Sequence, residues 1–176
     1  VLLDERSLRD WYIKKGFMNA TITNSFVESE DGIKVIYFIN EGASTVISEV
    51  RFEGNVVVSD KTLKGKISSK EVGFLKDGAF QKTAIEADKQ AIINYYMTRG
   101  YIDARIVDVL QDSYFNAEKE RTEVIITFII QEGAQYTFNG LTITGNEIFT
   151  TEKLESFMKL KKGAVFNQAK FQEGIS

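Results

Sequence analysis

The sequence contains no cysteine, no histidine and no proline. Without Cys and His the chain lacks a thiol nucleophile, a Ser-His-Asp triad and the ligands of a Cys/His zinc site, so most familiar enzyme chemistries are excluded. No metal or cofactor site is expected. Without proline there is no Pro/Ser-rich linker, and module boundaries have to be sought in repetition instead. No apolar run approaches the roughly 18 residues of a membrane span, and the opening Val1-Leu2-Leu3-Asp4-Glu5-Arg6 lacks the basic-then-apolar layout of a secretory signal. Charge of either sign is not in excess: 22 basic against 25 acidic side chains give a net charge of −3. With a pI near 5.2, no broad electropositive surface is available for a phosphate backbone, and nucleic acid is not an expected partner. What remains is a globular composition, 43% hydrophobic and 27% charged over 176 residues, enough for one large or two small domains.

Repetition carries the information. Ile39-Asn40-Glu41-Gly42-Ala43 matches Ile130-Gln131-Glu132-Gly133-Ala134, and Phe52-Glu53-Gly54-Asn55 matches Ile143-Thr144-Gly145-Asn146, both at an offset of 91. Upstream, Tyr12 to Ala20 matches Tyr96 to Ala104 at an offset of 84, so about seven residues are inserted between these blocks; a loop is the expected site. Phe80 and Phe166 are 86 apart, which puts a five-residue length difference between the two helices of the unit. The unit of about 90 residues is a domain repeat.

One unit reads as β-α-α-β-β. Val50 and Phe52 alternate with Arg51 and Glu53 as in a half-buried strand over Val46 to Glu53. Ser59, like Thr150 in the next copy, offers an N-cap oxygen to a short helix carrying Leu63 and Ile67 on one face. A glycine-containing connection, Gly73 to Gly78, leads to a second helix from Gln81 to Arg99, with Ile85, Ile92 and Tyr96 on its apolar stripe. Gly100-Tyr101 ends it, as Gly16-Phe17 ends its counterpart. Ala104 to Gln111 then reads as a strand in which Ile106 and Leu110 alternate only loosely with Arg105 and Val109, Asp112 to Thr122 as a polar turn, and Glu123 to Gln131 as the returning strand. The last is apolar on both faces, which predicts a central position in the sheet. The expected fold class is α+β: a small mixed sheet with two helices on one face and the other face wet.

These duplicated carriers, Tyr96-x-x-x-Gly100-Tyr101-x-x-Ala104, the strand ending in Glu132-Gly133, and Ile143-Thr144-Gly145-Asn146, resemble the polypeptide-transport-associated (POTRA) domains of the BamA outer-membrane assembly-factor family. The resemblance implies residues 1–43 as the C-terminal half of one domain, 44–133 as a complete domain, and 134–176 as the N-terminal half of the next. It implies a periplasmic scaffold upstream of a membrane β-barrel outside this chain, docking unfolded outer-membrane proteins and accessory lipoproteins. A two-partner secretion transporter or other export barrel shares such modules, and a non-binding spacer is the structural alternative.

If Glu123 to Gln131 is central, the preceding strand presents an unpaired edge on which an extended client can pair through its backbone. The expected binding residues are therefore Ala104, Arg105, Ile106, Val107, Asp108 and Val109, with Ala20, Ile22 and Phe26 equivalent in the preceding copy. Tyr114 and Phe115, placed in the inserted loop, are candidates for a further contact. Acidic groups such as Glu28, Glu30 and Asp31, or Glu118 and Glu120, fall in hairpin turns and read as solvated charge rather than an acid/base couple. Lys15-Gly16-Phe17 and Arg99-Gly100-Tyr101 open like an RNA-recognition motif, but Met18-Asn19 and Ile102-Asp103 follow where stacking residues are required. The glycines read as turn and cap positions. The two half-domains predict head-to-tail self-association, each supplying what the other lacks.

Overall fold

The computed structural model describes residues 2–175. Its elements run α1 (Leu2–Lys14), β1 (Thr21–Ser29), β2 (Gly32–Asn40), β3 (Thr45–Glu53), α2 (Asp60–Lys64), α3 (Lys82–Met97), β4 (Arg105–Asn116), β5 (Arg121–Gln131), α4 (Thr151–Glu155) and α5 (Gln168–Ile175). β1 and β2 form an antiparallel hairpin in which Ile22 faces Ile39 and Phe26 faces Val35. The second sheet has the order β3-β5-β4, so β5 is central. Its β4–β5 pair is a hairpin and therefore antiparallel. β3 runs parallel to β5, since Thr122 N donates to Ser44 O (2.8 Å) and, further along both strands, Ser48 Oγ donates to Val124 O (3.2 Å). The sheet is thus mixed, and the α+β fold class holds.

The chain folds as two compact units, 1–51 with 68–86 and 110–127, and 52–67 with 87–109 and 128–176. In the first, Val46, Ile47, Val50, Phe80, Ile85, Val124 and Ile126 are buried. In the second, Leu63, Ile92, Tyr96 and Phe128 are buried, with the Phe52 and Phe128 rings stacked at 5.6 Å. There Gly54 turns the chain away from the sheet at φ +84°, so close to β5 that a Cβ would lie 2.0 Å from Ile130 O. Only glycine meets both demands.

Each unit contains one junction between successive repeats, and the two are built alike. Thr45 N donates to Gly16 O (2.7 Å) and Phe80 N to Thr45 O (3.0 Å); at the equivalent positions Tyr136 N donates to Gly100 O (2.9 Å) and Phe166 N to Tyr136 O (2.9 Å). Gln81 Nε2 reaches Lys14 O (3.3 Å), as Asn167 Nδ2 reaches Thr98 O (2.8 Å). The carbonyls left over at a helix C-terminus are thereby taken up by the next repeat.

Several expectations need correction. The seven extra residues are not a loop: β4 and β5 span 12 and 11 residues against 9 and 9 in the first hairpin, and only two of the seven widen the turn, which is Ala117–Glu120 rather than Asp112–Thr122. β-formers at Tyr114 and Phe115 carry the strand onward. α2 ends at Lys64, and Ile67 is buried from the segment beyond it. Leu110 is exposed while Val109 is half-buried. The second sheet face is not uniformly wet, for Arg51 and Glu53 are exposed on β3 but Thr127 is buried on β5. Around Leu141 and Ile143 no strand forms; a single bridge, Thr137 to Val165, marks its start. A strand exists only with a partner, and none of the described residues pairs with 141–143.

Candidate functional site

The two outer strands of the three-stranded sheet have different surroundings. Along β3 the outward groups are taken by the chain itself: Phe80 N donates to Thr45 O, Ile47 N to Gly78 O (2.7 Å), Val72 N to Ile47 O (2.8 Å), and Val50 N to a Glu71 carboxylate oxygen (2.8 Å). β4 ends the sheet on the other side. It is exposed over most of its length, with Val107, Tyr114 and Phe115 large apolar side chains in solvent. A long exposed edge invites pairing by another chain.

Two of its side chains limit that invitation. Asp108 accepts a hydrogen bond from Val109 N (2.8 Å), occupying one amide of the strand. Arg105 donates through Nε and Nη2 to Gln131 Oε1 (3.1 and 2.7 Å) and so lies over the neighbouring strand end. Ile106 and Val109 are half-buried. Ala104 is buried, precedes β4, and its N–H is used by Tyr101 O (3.2 Å); Ala20 is equally buried before β1, its N–H used by Phe17 O (3.2 Å). Both alanines close the exit turn of a helix, so the accessible edges begin one residue later than expected. On β1, Ile22 is half-buried and Phe26 exposed.

Tyr114 and Phe115 are strand residues, and Tyr114 has a partner that sequence reading did not supply. Its Oη donates to Glu123 Oε2 (2.6 Å), while Lys119 Nζ (3.1 Å) and Arg121 Nε and Nη2 (3.0 and 2.7 Å) donate to Glu123 Oε1. Hydrogen bonds from Tyr114, then Arg121 and Lys119, bring the Glu123 carboxyl down to about 2. This cluster ties the distal end of the hairpin, so β4 stays in strand form past the expected turn.

The proximal end is held at Glu132. Its carboxylate accepts from Tyr96 Oη (2.7 Å), Val56 N (3.0 Å) and Val57 N (3.1 Å), and both Tyr96 and Glu132 are buried. Burial first, and the Glu132 hydrogen bond second, push the Tyr96 phenol far above its ordinary value. The repeated Glu-Gly is thus more than a strand end: it fastens α3 to the turn after β3. The first repeat has the same pair, with Glu41 raising the Tyr12 phenol by hydrogen bonding. The signal was present in the sequence as a Tyr and a Glu that recur together.

Among the described residues no His, Cys, Asp and Glu converge as for a metal ion, and no helix is long and apolar enough to cross a membrane.

The POTRA family model, "Surface antigen variable number repeat", matches residues 45–133 and again 136–176. The chain belongs to the POTRA family. A candidate outer membrane protein assembly factor of Treponema pallidum is 38% identical over 173 residues, covering 98% of this chain and 21% of that protein. The outer membrane protein assembly factor BamA of Neisseria meningitidis is 29% identical over 163 residues, covering 89% and 20%. The chain therefore spans about a fifth of the length of these relatives. The crystal structure of Haemophilus influenzae BamA POTRA3-5 superposes with a TM-score of 0.53 at 22% identity, covering 98% of this chain and 66% of that one, and shows the fold. In POTRA terms, β4 is the edge strand and β5 the central strand of the matched 45–133 segment.

Proposed function

We propose that this POTRA chain is a periplasmic scaffold of an outer-membrane β-barrel assembly factor. In this reading it receives unfolded outer-membrane proteins and accessory lipoproteins by β-augmentation along β4 at Arg105–Val109, with Ile22 to Phe26 of β1 in the same role. It attaches to the membrane through a barrel C-terminal to this chain. The observation that supports it is the asymmetry of the sheet: one edge is covered by residues 71–80 of the same chain, the other is an exposed strand. Main-chain pairing ignores side-chain identity, which suits a receptor for many unrelated strands held weakly and released. No catalytic step enters. An extended client peptide titrated into isotope-labelled chain should shift amides along Arg105–Val109. Shifts confined elsewhere would leave a spacer or a different export module.

Self-association belongs to the same proposal. α1 and the first hairpin leave an open groove lined by Leu8, Tyr12, Tyr37 and Ile39. Their counterparts Ile92, Tyr96, Phe128 and Ile130 are buried in the complete repeat. The segment from Thr137 to Leu160 of a second copy carries the complementary strand and helix, with Leu154 and Met158 in the places of Leu63 and Ile67. Sedimentation of the 176-residue chain should then show concentration-dependent species, and a compact monomer at every concentration would refute this part.

A further inference from the structure

The connection between α2 and α3 contains a projection that the fold does not require. Gly73 N donates to Lys76 O (3.0 Å) and Lys76 N to Gly73 O (3.2 Å), closing a hairpin with Phe74 and Leu75 at its tip. The base is pinned to β3 by Val72 N on Ile47 O and Ile47 N on Gly78 O. Gly78, at φ +62°, packs so tightly that a Cβ would lie 2.5 Å from the Val72 backbone. A rigid base therefore presents two apolar side chains to solvent, Phe74 at 101% and Leu75 at 88% exposure.

The next repeat makes the same attachment without this tip. There Phe138 N donates to Ala164 O (2.8 Å) and Gly163 N to Phe138 O (2.7 Å), the same attachment made with Lys161-Lys162-Gly163-Ala164 and five fewer residues. The five residues 73–77, with Phe74 and Leu75 at their tip, thus have no counterpart in the shorter connection.

Their surroundings are basic. Leu75 also lines a groove of about 740 Å³ whose walls carry Lys14, Lys15 and Lys76 beside one acid, Asp77, which pairs with Lys15 at 3.7 Å. Trp11, 54% exposed, lies in the same groove.

We infer that the Phe74-Leu75 tip docks on an anionic lipid surface. The two side chains enter the boundary between headgroups and acyl chains, Trp11 sits at headgroup level, and the lysines meet lipid phosphates. The shape favours lipid over protein: the apolar element is a convex two-residue tip, which parts lipids without needing a matching pocket, and its cationic collar selects a negatively charged surface. This inference is independent of the edge-pairing proposal, since it uses different residues and a different ligand.

The single Trp of the chain is a built-in reporter. The intact 176-residue chain is mixed with phosphatidylcholine vesicles with and without phosphatidylglycerol, and bound protein is read by co-sedimentation and by the blue shift of Trp11 fluorescence. Binding should require phosphatidylglycerol and fall as salt is raised. The Phe74→Ser/Leu75→Ser double variant should lose partitioning by roughly tenfold or more with an unchanged thermal midpoint. A variant with the shorter connection of the next repeat should behave the same way. Equal partitioning of parent and double variant would overturn the inference. So would a chain that ignores anionic vesicles at low salt, including one whose tip is instead protected by an added client or lipoprotein.

Discussion

Tyr96 and Glu132 give the sharpest test of what holds the matched 45–133 repeat together. Tyr96 is 0% exposed, and its hydroxyl has the Glu132 carboxylate 2.7 Å away. Tyr96→Phe deletes one hydrogen bond to a carboxylate and leaves that carboxylate the N–H groups of Val56 and Val57, so the expected loss is roughly 1.5–3 kcal/mol. Glu132→Ala removes the acceptor. Solvent can reach the two turn amides, because Val56 and Val57 are exposed, but not the Tyr96 hydroxyl. Adding one orphaned buried hydroxyl to two lost amide bonds gives roughly 3–5 kcal/mol. The ordering matters more than either figure: Glu132→Ala should exceed Tyr96→Phe, and Tyr12→Phe, whose partner Glu41 is exposed, should be the mildest of the three. Urea unfolding followed by near-UV circular dichroism measures the loss as a shift in midpoint at constant slope. The linked pH behaviour follows from the sign of the shift. The phenol is raised in the folded state, so its contribution is fully present below the ordinary tyrosine pKa and is lost only as pH rises through the folded value. Tyr96 should therefore titrate in the ultraviolet only with unfolding. A Tyr96→Phe variant within about 0.5 kcal/mol of the parent, below what a carboxylate-linked hydrogen bond supplies, would refute the account.

The Glu123 cluster should set a different limit. Its carboxyl is lowered to about 2, so its contribution is present above the ordinary glutamate range and is lost as pH falls from there towards 2. Glu123→Gln should remove that acid-side dependence, checked by comparing acid unfolding curves; it should also loosen amides 112–116 in hydrogen exchange. Gly54→Ala should destabilise by roughly 2 kcal/mol or more, since the left-handed backbone cost and the clash with Ile130 O add; a thermal midpoint equal to the parent's would contradict the close approach.

How far the sequence reveals this structure depends on whether a feature is local. The caps at Ser59 and Thr150 are legible because a hydroxyl before a helix has one obvious use, and both side chains accept from an amide three residues on. The central place of β5 is legible because alternation fails there in favour of apolar residues on both faces. The hairpin length was not. Asp112, Ser113 and Asn116 read as a turn by residue type, yet the cross-strand cluster at Glu123 outweighs that preference and carries β4 to Asn116. The order of residues over 112–122 and beyond names Tyr114, Lys119, Arg121 and Glu123 without saying that they meet. The strand expected at Leu141 and Ile143 fails for the opposite reason, since its pattern is correct and none of the described residues pairs with it. The candidate edge was legible as a topological place, while the occupied amides of Ala20, Ala104 and Val109 were not, because each is satisfied by a turn or a side chain that only the folded chain brings into reach.

The repeated junction supplies a test that separates capping from coupling. Asn167 does two things: Oδ1 accepts from Lys170 N (3.0 Å) at the start of α5, and Nδ2 donates to Thr98 O (2.8 Å) at the end of α3. Asn167→Ala removes both, at about 1 kcal/mol for the cap and about 1 for the tie. Asn167→Asp keeps the cap, which an aspartate fills as well as an asparagine, and replaces the donor with an oxygen that repels the Thr98 carbonyl. If the tie fixes one repeat on the next, Asn167→Asp should leave α5 intact while the amides of Tyr136 and Phe166, which close the same junction, exchange several-fold faster. If the residue is only a cap, Asn167→Asp should match the parent and Asn167→Ala alone should loosen the helix. Gln81 gives the control, because its amide makes the equivalent tie to Lys14 O and Gln81→Glu should speed exchange at Thr45 and Phe80. Normal exchange at both junctions in both acid variants would mean that the side-chain amides do not couple the repeats, leaving the backbone bonds from Thr45 to Gly16 and from Tyr136 to Gly100 to do so alone.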